Sequence, residues 1–271
     1  VIGAIAGDII GSVYERYGIK TKKFPLFDPS CRFTDDTVLT VAVAKAILDD
    51  IDYTAAVKEI GCKYPKAGYG GSFIRWLFSD ESEPYNSWGN GSAMRVSPIG
   101  FVFDTKEKVL EEAKKTAEIT HNHPEGIKGA QATALAVLLA RTGHSKIQIK
   151  DDLRDMFGYD LDRTINEIRP TYSFDISCQG SVPESIIAFL DSDSFEDAVR
   201  NAISLGGDSD TMACIAGAIA ESYYGGVPKE IVKKVRTLLS DDLWNITESF
   251  CKKYYDLSVK KLGAVLTTFV C

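Results

Sequence analysis

The chain has 271 residues, 45% of them hydrophobic and 25% charged, a balance that excludes an intrinsically disordered chain. Lys and Arg total 31 against 38 Asp and Glu, and the resulting net charge of −7 argues against general nucleic-acid binding. No apolar run reaches the ~18 residues of a membrane span, and no secretory pattern opens the sequence.

The first segment, GAIAGDIIGSVYE, places Gly3, Gly7 and Gly11 on one helical face. Glycine costs a helix interior up to ~1 kcal/mol each, so either a second helix or a ligand is expected to approach this bare backbone. Asp8 interrupts the apolar start and reads as a structural acid behind a site. After a loop around Pro25 and Pro29, Thr34 caps a helix running VLTVAVAKAILDD. Asp50 or Asp52 starts the next, IDYTAAVKEIGCKY, which Pro65 ends. The AGYGG turn leads into a shorter apolar segment, SFIRWLFSD.

Residues 104–120 read as an amphipathic surface helix and 125–141 as a central one, small and apolar all round. Helices follow over 181–190, with Pro183 in the opening turn, and over 195–205. ACIAGAIAESYYGG stops at Gly225 and Gly226, and residues 241–262 form a last helix. The tail LGAVLTTFVC fits a strand or a packed segment equally. With no βαβ alternation, repeat or long linker, the expectation is an all-α, compact orthogonal helical bundle forming one domain over 1–271, a two-lobed bundle being the alternative. Six cysteines (Cys31, Cys62, Cys178, Cys214, Cys251 and Cys271) form no CxxC pair and read as reduced thiols of a cytoplasmic protein, Cys271 being the candidate exposed one.

Two acidic stretches stand apart from the lysine-rich surface. In FTDDTVLTVAVA, Thr34, Asp35, Asp36 and Thr37 lead into an apolar helix, and in GGDSDTMACIAGAIA, Asp208, Ser209, Asp210 and Thr211 do the same. Adjacent carboxylates repel, and the free amides of a first helical turn return only ~0.3–1 kcal/mol per charge. Each stretch alone is a plausible N-cap. Together they point to a shared site for hard divalent cations, Mg²⁺ or Mn²⁺, whose preferred ligands are carboxylate and hydroxyl oxygens. No His-rich or Cys-rich spacing supports zinc. Glu15 either manages a proton near such a site or pairs on the surface beside Arg16. In NSWGNGSAMRVSPIG, Gly89 and Gly91 bracket Asn90 and can present backbone N–H groups to an oxyanion. Trp88 suits base stacking or the core equally, and Arg95 suits pairing with a nearby acid. In THNHPEG, His121 is a credible polar ligand contact.

GAIAGDIIGSVYE, FTDDTVLTVA, SWGNGSAMRVSPIG, ITHNHPEG and GGDSDTMACIAGAIAESYYG together, in this order, resemble the ADP-ribosylglycohydrolase family. The resemblance implies a compact all-helical fold with a dinuclear metal cleft and hydrolysis at C1″ of ADP-ribose conjugates. It implies that Thr34, Asp35 and Asp36 hold one side of the metal pair and Asp208, Asp210 and Thr211 the other. Glu15 would be the acid/base, with Asp35 and Asp36 beside the reacting centre. Ser87, Trp88, Gly89, Asn90 and Gly91 would receive the pyrophosphate and adenosine side, and His121 would touch the ligand. Family members acting on arginine carry an acid just before the glycine loop. Here Tyr85, Asn86 and Ser87 occupy that stretch, so O-linked conjugates (serine or O-acetyl) are favoured over arginine-linked ones. The expected partner is an ADP-ribosylated protein or small conjugate, bound by a monomer without nucleic acid or membrane. The rival readings are another dinuclear nucleotide or phosphate-ester hydrolase and a non-catalytic ADP-ribose-binding or structural protein.

Overall fold

A computed structural model describes residues 1–80 and 82–266, with the last helix past Tyr255 described by its backbone only. Among these residues every extended regular element is a helix, in the order α1 (Ile2–Gly11), α2 (Asp35–Asp49), α3 (Tyr53–Lys63), α4 (Gly71–Leu77), α5 (Gly91–Met94), α6 (Ser97–Val102), α7 (Lys106–Glu118), α8 (Pro124–Arg141), α9 (Lys146–Phe157), α10 (Ile165–Ile168), α11 (Cys178–Leu190), α12 (Phe195–Ile203), α13 (Ser209–Tyr223), α14 (Lys229–Leu238) and α15 (Asp241–Leu266). The fold is all-α.

Short polar side chains start most of these helices. Thr34 caps α2, Asp52 caps α3 by accepting from the Ala55 amide at 3.0 Å, and Asp50 closes α2 in the left-handed conformation. Helix α9 was not anticipated from its apolar spacing, although Ser145 and Gln148 form a reciprocal capping box ahead of it and Gly158 ends it. Helix α14 was also missed. The expected 181–190 helix starts three residues earlier, because Ser177 accepts from the Gly180 amide, and this puts Pro183 inside α11 instead of in its opening turn. The tail from Leu262 to Leu266 continues α15, whereas residues 267–271, Cys271 among them, lie outside the described residues. The five described cysteines are free.

One hydrophobic cluster runs from Val1 to Phe250, with α8 and α13 buried along most of their lengths. The glycine stripe of α1 meets a second helix. A Cβ on Gly3, Gly7 or Gly11 would strike the carbonyl oxygens of Gly217, Ala213 or Ser209, respectively. The pairing descends along α13 as it climbs α1, so the helices are antiparallel at backbone contact distance. That register brings the end of α1 beside the start of α13. The site is built at this junction.

Candidate active site

Helix α1 stops at Gly11, so Glu15 reaches the site from the following turn and not from the glycine face of a longer helix. Thr34 Oγ1 accepts from the Asp36 amide at 3.4 Å, which leaves the Asp35 and Asp36 carboxylates free of capping duty. Asp8 pins this turn to α1. It accepts from the Thr34 amide at 2.9 Å, the Thr34 hydroxyl at 2.6 Å, the Thr37 amide at 3.1 Å and the Thr37 hydroxyl. At α13, Asp208 holds the N-cap position but makes no side-chain cap, and its Oδ2 accepts from Asn90 Nδ2 at 2.8 Å. Thr211 Oγ1 donates to Asp36 Oδ2 at 3.2 Å. The two acidic turns, 175 residues apart, therefore meet.

Oxygens of Asp8, Asp36 and Asp210, all buried, lie within 4.8 Å of one another. Burial and mutual repulsion push these acids up. Asp8 rises to about 6 through burial, against the hydrogen bonds it accepts, and Asp208 rises to about 6 mainly through burial. Asp35 rises to about 8 through burial and then the neighbouring Asp8 charge. Asp36 and Asp210 stand well above the usual carboxylate range, through burial and then the carboxylates around them. No cationic side chain is among the groups that set these shifts. Asp36 Oδ1 is buried with no partner. A clustered, hard-oxygen donor set with one orphaned oxygen and no counter-charge fits a divalent cation.

Above this floor opens a cleft of about 380 Å³. Glu15, Asp35, Ser87, Gly89, Asn90, Gly91 and His121 line it together with Asp36, Asp208, Asp210 and Thr211. Among the described residues Glu15 makes no ion pair, so pairing with Arg16 is not what holds it. Lys20 instead ties the Glu15 segment down, donating to the carbonyls of Tyr172 and Leu205, each at 2.5 Å. The glycine loop is pinned by an antiparallel bridge between Gly89 and Ser177, with the Asn90 amide donating to the Ile176 carbonyl at 2.8 Å. Thr34 and Trp88 do not line the cleft, and Trp88, 47% exposed, lies outside the core too. Among the described residues Arg95 forms no ion pair with an acid; its Nη2 donates to the Thr116 carbonyl and to Thr120 Oγ1.

The cleft also uses Gly68, Gly70, Gly71, Tyr85, Phe174 and Ile176. The AGYGG turn carried a signal, its run of glycines. Phe174 and Ile176, exposed at the mouth, carried none, because only the loop's path against the glycine loop gives them a place.

With this geometry in view, a family model for ADP-ribosylglycohydrolase matches residues 1–259. The chain belongs to the ADP-ribosylglycohydrolase family. Its enzymes are metal-dependent hydrolases of ADP-ribose conjugates, and the buried aspartate cluster here could bind a metal ion. ADP-ribosylhydrolase ARH3 of Homo sapiens is 28% identical over 303 aligned positions, spanning 82% of this chain and 84% of that protein. ADP-ribosylarginine hydrolase Tri1 of Pseudomonas putida is 29% identical over 155 positions, 54% of this chain and 42% of its own length. A solved ADP-ribosylglycohydrolase-related protein complex superposes with a TM-score of 0.68 at 22% identity, covering 88% of this chain and 94% of that one, which shows a shared fold.

Proposed function

We propose that this enzyme is metal-dependent and cleaves the glycosidic bond at C1″ of ADP-ribose conjugates to release ADP-ribose, taking O-linked (serine or O-acetyl) conjugates ahead of arginine-linked ones. The carrying observation is the Thr211–Asp36 hydrogen bond, which closes two remote acidic turns into one anionic floor beneath a glycine-lined cleft. In this reading two divalent cations, Mg²⁺ or Mn²⁺, are held by Thr34, Asp35 and Asp36 on one side and by Asp208, Asp210 and Thr211 on the other. Bound there, they would supply the missing positive charge and polarise ribose hydroxyls.

The chain's own groups do the rest. Glu15 moves the proton of the attacking water or the leaving oxygen. Asp35 and Asp36 place negative charge where an oxocarbenium-like centre develops. Ser87, Gly89, Asn90, Gly91 and His121 receive the diphosphate, and Trp88 flanks the adenosine side. The O-linked preference is supported by residues 84–87, which carry no carboxylate although Tyr85 and Ser87 reach the cleft. An arginine acceptor would bring a guanidinium best met there by an acid. We further propose that the chain acts as a single-domain cytoplasmic monomer on a modified protein or small conjugate. The net charge of −7 weighs against nucleic acid, and no helix among the described residues is long and apolar enough to cross a membrane.

The test is a turnover panel of serine-linked, arginine-linked and O-acetyl ADP-ribose with Mg²⁺ or Mn²⁺ added. Intact ADP-ribose as product is expected, fastest from the O-linked substrates. Release of inorganic phosphate or ribose phosphate would instead assign a phosphate-ester hydrolase. Glu15→Gln should bind ADP-ribose and lose turnover; unchanged turnover removes Glu15 from the chemistry.

A further inference from the structure

Arg95 follows the glycine loop at the C-cap of α5, and among the described residues it is the largest side chain with no exposed surface. It still belongs to the lining of the cleft, beside Tyr85 and His121. Its Nη2 donates to the Thr116 carbonyl and to Thr120 Oγ1, both at 2.8 Å, while Nε and Nη1 are buried with no partner. Of the five N–H donors of a guanidinium, only the Nη2 pair is used. Two other arginines show what a purely structural guanidinium looks like in this fold. Arg141 uses Nε on the Gly100 carbonyl and Nη2 on the Phe103 carbonyl and Asp104. Arg200 uses Nε on Glu196 and Nη1 on the carbonyls of Lys22 and Phe24. Each has a satisfied Nε and a carboxylate partner; among the described residues Arg95 has neither.

Burial draws the Arg95 pKa down only to about 10, so the guanidinium keeps its charge near neutrality. The groups whose charge would favour it are the Tyr85 hydroxyl and the Cys178 thiol, and burial pushes both up to about 12, so both are neutral at that pH. Nor is Arg95 among the groups that set the shifts of the floor aspartates. Its charge is felt at the cleft wall instead. After burial, it is what lowers the His121 pKa, and it pulls against burial at Tyr85. A charge taken out of water without a counter-ion is costly, and salt screens it little, so it acts strongly on whatever enters the space beside it.

We propose that Arg95 is a specificity-determining residue: its buried, unpaired guanidinium gives the cleft wall at Tyr85 and His121 a fixed positive charge that selects ligands carrying a diphosphate over uncharged nucleosides. The cleft is then polarised, with an acidic floor for cations and a cationic wall for the anion. The proposal rests on the ADP-ribose reading only for the identity of that anion.

The experiment measures the affinity of the full chain, with Mg²⁺ or Mn²⁺ present, for ADP and for adenosine, which differ only in the diphosphate. The wild-type chain should favour ADP. Arg95→Met should cut that preference about thirtyfold and leave the affinity for adenosine unchanged, whereas Arg95→Lys, which keeps the charge, should retain most of it. A preference that survives in the Met variant overturns the proposal. So does a loss shared equally by ADP and adenosine, because a merely structural arginine would move both together. A readout on the unaltered chain does not depend on how the variants fold. Arg95 is the only arginine buried from solvent among the described residues, so its Nε–H is the arginine resonance expected to persist longest in D₂O. ADP should shift that resonance and adenosine should leave it in place; silence to ADP overturns the proposal. Uncleaved ADP-ribose conjugates together with an Arg95-dependent preference for ADP would sink the ADP-ribose reading alone. Cleavage with a preference independent of Arg95 would sink this proposal alone.

Discussion

Glu112 on α7 and the cleft floor are both acidic and covered, yet they are solved in opposite ways. Glu112 is 8% exposed, and burial works to raise its pKa, but Lys115, Lys108 and the Tyr53 hydroxyl outweigh burial and hold it below the ordinary value. Asp36 and Asp210 are buried at least as well and have no cation; their neighbours are other carboxylates. The first arrangement is complete within the chain. The second lacks its counter-charge, and a covered acid without one marks a place prepared for a ligand and not for stability.

The largest expected effect separates the two regions outright. Asp36→Asn or Asp210→Asn should lower kcat/KM by about 10³-fold or more while leaving the chelated protein as stable as before or more so, since repulsion is relieved. Glu112→Gln should do the reverse, lowering the melting temperature and leaving turnover intact. An Asp36→Asn protein with normal turnover would break the contrast. Next in size is the response to metal. Mn²⁺ at 100 times its Kd should stabilise the chelated protein by about 2.7 kcal/mol, and Asp36→Asn should abolish that shift in thermal melts.

The pH response of the chelated protein sharpens the comparison further. Asp8, Asp208 and Asp35 have folded pKa values above the ordinary 3.8, at about 6, about 6 and about 8. The folded chain then holds protons that the unfolded chain has released, so stability should fall as pH rises through this window. Melting at about pH 5 and about pH 8.5 with chelator should show the drop, and saturating metal should flatten it. A metal-free protein that gained stability over that range would contradict the raised values. The smallest effect belongs to the satisfied region. Tyr53→Phe, which removes a 2.9 Å bond to Glu112, should cost about 1 kcal/mol in denaturant melts without touching turnover.

Much of this molecule is written in local chemistry. Thr34 and Asp52 as caps, Gly225 and Gly226 as a stop, and the amphipathic 104–120 stretch are each decided within a few residues of chain, so their order could be read directly. The glycine stripe of α1 announced a close approach but not its partner. The acidic pairs announced a site, and the break in the apolar start marked Asp8 as a structural acid behind it, but not its partners: its four accepted hydrogen bonds come from residues 26 and 29 positions away. Trp88 and Arg95 show the limit most clearly. The sequence left one between base and core and paired the other with an acid, and packing put the first outside the core and left the second with threonines.

The sequence alone determined most of the longer helices, several of their ends and the types of donor oxygen on offer, because propensity, capping and side-chain chemistry are local. Only the tertiary structure decided that those oxygens converge. Convergence depends on α1 and α13 packing antiparallel at backbone contact, and that contact forms between segments some 200 residues apart, beyond the reach of any local rule.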